Sequence, residues 1–354
     1  MKKSYAFLIS CFSICLFITV VSCAGSPAQG NGSTAGAPSW VRDPYTKFDR
    51  QTHVAAVGFG STREAAEKNA LGSLVAFFGQ SIQVDQTVLS SFHSAVANGA
   101  AAGWSESTAV DEVITTSAGM DSLIGAEIGD VWNDGKGTFY AAAILNRTRA
   151  IQTYSNLISS NQSVINNLVN MTAAEKNTLE GFSRYQFAAT VADVTYSYAN
   201  LLSQIGAPAF AQGLKRGDEY RLEAQRIASA IPIAITVTND KAGRIQSAFA
   251  KVFSELGFRA GAVPAGTASR YTLNVNITLM PVELPNNPNT FVRMELDANL
   301  GDNGVTILPW NFSNREGHLS MPEAENRAFL SAERKIDAEY KDYLSEYLLR
   351  LLPK

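Results

Sequence analysis

The sequence predicts an α+β protein: two small modules with mixed or antiparallel sheets covered by helices, joined by a helical middle segment. Two stretches near the C-terminus alternate apolar and polar residues with period two, which is typical of half-buried antiparallel strands. Near the N-terminus, a short apolar stretch ending in glycines precedes an alanine-rich helical pattern. With 354 residues, 46% of them hydrophobic, and a formal net charge of −3, the chain has an ordinary globular composition.

The first module is predicted over residues 40–150. Ser61 and Glu64 have the spacing of a capping box, which would start a helix running to Phe78. An Asp-Gly pair at Asp134 supplies the positive φ that a hairpin turn needs. The other predicted elements are a strand over Val54–Gly60, an extended segment over Ile82–Val88, a partly helical stretch over Ser94–Met120, and a hairpin over Leu123–Leu145.

The middle segment, residues 151–228, is predicted to be helical. Its apolar residues recur at three- and four-residue intervals, and we expect two or three helices, the longest from Thr172 to Gln204 with Gly206 as its stop. The apolar stripe could bind a partner. Packing of the helices on each other and on the neighbouring sheets is the favoured interpretation.

The second module is predicted over residues 229–354 as strand, helix, three strands and a long terminal helix. A second capping box, Ser320 to Glu323, starts the terminal helix, which we expect to cover its own sheet rather than to pair with a partner helix. The predicted strands cover Ile233–Val237, Tyr271–Leu279, Val292–Leu300 and Val305–Phe312. The helix that follows the first of these strands is predicted to end at Gly257. The terminal helix is predicted to bury Phe329, Ala332, Ile336, Tyr340, Tyr343, Tyr347 and Leu351.

The N-terminus predicts a lipoprotein signal peptide over residues 1–22. Two lysines precede an uncharged apolar stretch, Ala6–Val21, which is too short for a membrane span and suits a signal-peptide core. Val20–Cys23 resembles a bacterial lipobox, which implies that Cys23 is lipidated; the alternative is an ordinary secretory signal with a chance cysteine. Residues 24–39, rich in Gly, Ala, Ser and Pro, form a flexible tether.

Several chemistries are disfavoured by the residues present. A pI near 5.7 without a basic block argues against nucleic acid. Cys11 and Cys15 would leave with the signal peptide, so no thiol or disulfide chemistry is expected. The three histidines (His53, His93 and His318) lack metal-ligand spacing. We predict no cofactor, no metal site and no enzymatic activity.

Two motifs are candidate binding or catalytic sites. Gly58-x-Gly60 lies between a predicted strand and helix, where phosphate can bind, but Arg63 stands where a nucleotide motif has its third glycine. Asn239-Asp240-Lys241 follows a buried strand, a place where catalytic loops often lie. For both motifs, turn and helix-cap roles are the favoured interpretation.

Part of the first module resembles the Lpp-twenty-type family of bacterial envelope lipoproteins. The residues concerned are Pro38–Val41, Val57–Ala66, Trp132 and Phe139–Ala143. The N-terminal domain of the flagellar protein FlgT is similar in pattern. Members of this family are not known as enzymes, so the resemblance implies an anchoring, assembly or surface role.

Together these observations predict a lipid-anchored protein of the bacterial envelope with a structural, assembly or docking role, linked to flagellar or outer-membrane structures. We expect palmitate on Cys23, attachment to the outer membrane, and envelope proteins as partners, with the oligomeric state open. One alternative is a surface-exposed antigen or adhesin that binds host molecules. The other is a ligand-binding or hydrolytic periplasmic lipoprotein.

Overall fold

A three-stranded antiparallel sheet forms the first module in the computed structural model, which describes residues 36–78, 123–240, 242–262 and 269–353. The spatial order is β1-β3-β2, so the first strand pairs with the second arm of the hairpin. The elements are β1 (His53–Gly60), helix α1 (Arg63–Phe77), β2 (Ala126–Asn133) and β3 (Phe139–Asn146).

Helix α1 packs on one face of this sheet because the facing residues are small. Ala141 and Ala143 of β3 share a buried cluster with Ala66, Ala70 and Leu74 of α1. Alanines on both sides bring the helix close to the strands, and the cluster excludes water without large side chains.

The middle segment contains long helices. They are α2 (Arg147–Val169), the single turn α3 (Ala173–Lys176), α4 (Leu179–Gln204) and α5 (Gly217–Ala230). The predicted start of the longest helix at Thr172 is wrong, because Thr172 caps α3 in a capping box with Glu175 and Thr178 caps α4. The predicted stop at Gly206 is confirmed; its φ is 95°.

Helix α4 contributes to the buried clusters of both modules. Its N-terminal residues Leu179 and Phe182 lie in the cluster of the second sheet, whereas Phe187 and Val191 lie in that of the first. Residues Pro38–Lys354 accordingly form one contact unit. The favoured interpretation of the middle helices, packing against each other and both sheets, is therefore what the structure shows.

The second module is a five-stranded mixed sheet with the order β5-β4-β6-β7-β8. Strand β4 pairs in parallel with β5 and β6, while β6, β7 and β8 are antiparallel. The mixed α+β class expected from the sequence is confirmed. The elements are β4 (Pro232–Thr238), helix α6 (Arg244–Glu255), β5 (Arg259–Gly261), β6 (Tyr271–Val282), β7 (Thr290–Asp302) and β8 (Val305–His318).

The period-two pattern positions this sheet. Leu273 and Ile277 of β6, with Met294 and Leu296 of β7, are fully buried on the helix-covered face, and the polar residues between them face away. Strand β8 continues past the predicted end at Phe312 to His318, since it pairs with β7 over its length, with one register shift at Leu300/Gly301.

The terminal helical segment is α7 (Met321–Lys335), one turn of π-helix (Ile336–Tyr340) and α8 (Lys341–Arg350). It covers its own sheet, as expected, but the buried stripe differs from the predicted one. The predicted members Phe329, Tyr343, Tyr347 and Leu351 are only partly buried. The buried positions recur every four residues: Ala324, Ala328, Ala332, Ile336, Tyr340, Leu344, Leu348 and Leu352.

Both predicted capping boxes are wrong. Helix α1 starts one residue later than expected, and Thr62, not Ser61, caps it by accepting a hydrogen bond from the amide of Ala65 at 3.1 Å. Ser320 is the N-cap residue of α7, as predicted, but its side chain makes no capping hydrogen bond, and its amide donates to Nδ1 of His318 at 3.4 Å. The predicted segments over Ile82–Val88 and Ser94–Met120 lie outside the described residues.

Candidate functional site

The predicted lipidation site, Cys23, lies outside the described residues, as do the signal peptide and the tether up to residue 35. The described chain begins with the last tether residues and continues into two short 3₁₀ helices, Ser39–Val41 and Pro44–Thr46. This N-terminal segment, residues 38–52, connects the predicted anchor to the folded protein. The contacts of this segment with the sheet therefore determine where the chain from the predicted anchor joins the folded protein.

Lys47 fixes the N-terminal segment to strand β2 through the carboxylate of Asp130, and Trp40 lies near it. Trp40 is buried, and its indole has the smallest of the influences that lower the pKa of Asp130. The ammonium of Lys47 forms an ion pair with the same carboxylate. The hydrogen bond from Lys47 is the main reason why the pKa of Asp130 lies below its usual value, which burial opposes.

Two aromatic side chains complete this attachment. The hydroxyl of Tyr45 accepts a hydrogen bond from the amide of Ala55 at 3.3 Å. The ring of Phe48 lies over Gly129, where an added Cβ would stand only 2.8 Å from the ring. The segment thus covers the face of the sheet opposite α1, and it holds the end of the tether against that face.

Beyond the N-terminal segment, the same face carries three aromatic residues in one row. Phe59 of β1, Tyr140 of β3 and Trp132 of β2 are direct register neighbours. The ring centroids are 6.3 Å apart for Phe59 and Tyr140 and 5.4 Å apart for Trp132 and Tyr140. Phe59, near the end of the edge strand β1, is 62% exposed, a large fraction for a phenylalanine. We call these three residues the aromatic row.

Sequence reasoning did not single out the aromatic row. All three residues belong to the stretches that carry the family resemblance, but nothing in those stretches indicates that their side chains meet. Alternation within each strand predicts a common face for the three strands only when the register is known. The available signal was that Phe59 lies between two glycines, where a large apolar side chain cannot share the helix-facing side.

Gly58 and Gly60, the candidate nucleotide-binding motif, lie under helix α1. A Cβ added at Gly58 would stand 2.1 Å from the amide nitrogen of Ala70, and one at Gly60 would stand 2.7 Å from the Cβ of Ala65. The glycines therefore allow close helix–strand packing. The amide of Ala65, in the first turn of α1, is already satisfied by Thr62.

Asp240 caps helix α6, as the favoured interpretation of Asn239-Asp240-Lys241 expected. Its two carboxylate oxygens accept from the amides of Arg244 at 3.0 Å and Gln246 at 2.9 Å. Asn239 adopts a left-handed φ of 65° and donates to the carbonyl of Ile277. Lys241 lies outside the described residues. The arrangement closes a turn between β4 and α6.

The histidines are not brought together by the described parts of the chain. His53 begins β1, where its Nδ1 lies 2.9 Å from the hydroxyl of Thr52, and His318 ends β8 in the other sheet. His93 lies outside the described residues. Within those residues, no three His, Cys, Asp or Glu side chains are grouped as a metal site requires. No helix in the described residues combines the length and the apolar character needed to cross a membrane.

An open groove of about 990 Å³ runs beside α1 and the free edge of β1. Two of its polar residues have partners: Glu67 pairs with Arg63, and the side-chain amide of Asn69 donates to the carbonyl of Phe59 at 2.8 Å. The groove is a long shallow surface rather than a pocket where polar groups converge.

Comparison with known families gives a match for the first module. Residues 38–146 match the LPP20 lipoprotein family. The resemblance expected from the sequence is confirmed for these residues, and it supports a lipoprotein of the bacterial envelope. The LPP20 match begins at Pro38, where the N-terminal segment starts, and ends with β3 at Asn146, so it covers the module just described.

Solved structures show weaker similarities. The secreted protein HP1454 of Helicobacter pylori is 13% identical, with 81% of this chain and 98% of that chain covered and a TM-score of 0.38. A minor lipoprotein of Acinetobacter baumannii is 12% identical, with 35% of this chain and 96% of that chain covered and a TM-score of 0.22. Curated proteins give no match to this chain. TM-scores this low support no conclusion about function.

Proposed function

We propose that this chain is a lipid-anchored, non-enzymatic protein of the bacterial envelope that docks envelope proteins near a membrane. The observation that carries the proposal is the position of the LPP20 match. It begins at Pro38, where the tether that follows the lipobox-like Cys23 ends. Anchor, tether and lipoprotein module therefore follow one another along the chain without a gap.

The proposed mechanism is localisation. Acyl chains on Cys23 would hold the protein at a membrane, since each buried CH₂ contributes about 0.8 kcal/mol. Confinement raises the effective concentration of any partner in the same membrane or its vicinity. The roles of the candidate site residues support a non-enzymatic function. Gly58 and Gly60 allow close packing of α1 on β1, and Asp240 caps a helix.

Replacing Cys23 by Ser tests the anchor. Without the thiol no thioether to lipid can form, so Cys23→Ser should lose incorporation of labelled palmitate and move from the membrane fraction to the soluble fraction. Cys11→Ser is the matched control, because Cys11 belongs to the predicted signal peptide and its replacement should leave labelling unchanged. Undiminished labelling of Cys23→Ser would refute the proposal.

Attachment to the outer membrane is part of the proposal. Ala24, directly after the predicted anchor, lacks the acidic side chain associated with retention in the inner membrane of enterobacteria. Density-gradient separation of the membranes should place the protein with outer-membrane markers. Protease treatment of intact cells should leave it uncleaved if it faces the periplasm, and cleavage would favour the surface antigen or adhesin instead.

A further inference from the structure

The aromatic row lies where the described part of the chain leaves the sheet face uncovered. Residues of the N-terminal segment occupy this face as far as Asp130, which pairs with Lys47. Trp132 is the next residue of β2 on the same face, and the row begins there. Phe59, at the other end of the row, is 62% exposed. Trp132 and Tyr140 are half-buried, so the row presents one exposed ring and two partly exposed rings to solvent.

The described chain begins, on the side that leads to Cys23, next to the face that carries this row. Trp40 follows the end of the tether and lies near Asp130, which is about 7 Å along the strand from Trp132. The composition of residues 24–39 predicts a flexible linker with a root-mean-square span of about 20 Å. A linker of this length would let the face that carries the row reach the membrane that holds Cys23.

We propose that the aromatic row rests on the lipid headgroups of the membrane that holds Cys23. This inference rests on the proposed function, because it needs the lipid anchor. Tyr140 and Trp132 each combine an apolar ring with one hydrogen-bonding group, the composition that concentrates at membrane–water interfaces. Phe59 supplies a wholly apolar ring beside them.

The dimensions of the row favour a membrane over a protein partner. Three side chains on three neighbouring strands span about 10 Å. A stable protein interface needs about 800 Å² from each partner, much more than three side chains offer. As a supplement to an acyl anchor, the same row is sufficient to orient the first module, since the anchor already provides attachment.

A single thiol at position 59 can test this contact. Once the predicted signal peptide is removed and Cys23 is acylated, Phe59→Cys supplies the one free thiol of the chain. We would label it with bimane and reconstitute the full acylated protein into phosphatidylethanolamine–phosphatidylglycerol vesicles that contain nitroxide-headgroup lipid. The control is Lys68→Cys, an exposed position on α1 at the opposite side of the sheet.

Quenching of the label gives the result. We expect the nitroxide lipid to quench the label at position 59 at least threefold more than that at position 68, and aqueous iodide to show the reverse order. Tyr140→Cys, in the middle of the row, should behave like Phe59→Cys, and it serves as a second variant if the first does not fold. Circular dichroism of each variant checks the fold.

Other results would overturn the inference. Equal quenching at positions 59 and 68, in protein whose Cys23 acylation is verified by mass spectrometry, would refute the membrane contact and leave the proposed function intact. Protection of position 59 from both quenchers would mean that a second copy or another part of the chain covers the row, which also refutes it. Absence of the acyl group would refute the proposed function and this inference together.

Discussion

At the residue scale, Gly58 shows how a short motif can suggest chemistry while serving packing. The Gly-x-Gly spacing resembles part of a phosphate-binding loop, yet α1 lies so close to β1 that a side chain at Gly58 would collide with the backbone of Ala70. Backbone atoms cannot move aside as a flexible side chain can. The helix can approach the strand only because position 58 carries no Cβ.

We expect Gly58→Ala to lower the free energy of unfolding by about 3 kcal/mol, because the new methyl group must push α1 away from β1. Urea denaturation followed by circular dichroism measures the change. Gly72→Ala, in the helix that packs on Gly58, is the control. Its Cβ would meet nothing within 4 Å, and alanine should stabilise the helix by about 0.5–1 kcal/mol. An unchanged stability of Gly58→Ala would contradict the described packing.

At the scale of elements, the N-terminal segment is attached to β2 mainly through polar groups, and Asp130 is their common partner. The pKa of Asp130 is lower in the folded protein than in the unfolded chain, chiefly because of Lys47. A carboxyl group with a lowered folded pKa contributes stability above its unfolded pKa of about 3.9 and loses it as the pH falls through the folded value.

Replacing Asp130 by Asn should therefore destabilise the protein at neutral pH and matter less in acid. We expect a loss of about 1 kcal/mol at pH 7, since the pair is partly exposed to solvent. The difference from the unmodified protein should shrink as the pH is lowered from 5 to 2, as measured by urea denaturation at each pH. Glu127→Gln, an exposed position on the same strand, is the control and should change stability by under about 0.5 kcal/mol. A constant difference at all pH values would contradict this role of Asp130.

Elements with strong periodicity were predictable, whereas the capping hydrogen bonds at the starts of helices α1 and α7 were not. The alternation in β6 and β7 and the stop at Gly206 follow from local chemistry, and the structure contains them. The structure places the N-cap of α1 at Thr62 instead of Ser61, and it leaves the N-cap residue Ser320 without a side-chain cap. The amide of Ser320, which a capping box would direct to Glu323, donates to the ring of His318 instead, and the sequence spacing does not reveal which bond is formed.

At the scale of the whole molecule, helix α4 connects two sheets that the sequence predicted as separate modules. Near its start the amide of Leu179 donates to the hydroxyl of Tyr271 at 3.2 Å, and Ser183 donates to the carbonyl of Leu348. Further along, Phe187 and Val191 enter the other buried cluster. A helix shared in this way couples the stability of both sheets.

We expect Phe182→Ala to lower the free energy of unfolding by about 3–5 kcal/mol, because Phe182 is buried with its ring centroid 4.7 Å from that of Phe258. Hydrogen exchange should show reduced protection in β3 as well as in β6 and β7. Phe210→Ala, at a partly exposed phenylalanine, is the control and should cost under about 1 kcal/mol. Loss of protection in β6 and β7 alone would show that the sheets unfold independently.

The sequence by itself determined the α+β class, the strand and helix periodicities, and the likeness of residues 38–146 to an envelope lipoprotein module. These depend on neighbouring residues and on short-range backbone preferences. Tertiary structure decided that Phe59, Tyr140 and Trp132 form one row, that Asp130 holds the incoming chain, and that α4 belongs to both cores. Each of these depends on strand register or on the close approach of distant segments, and local periodicity contains no information about which distant segments meet.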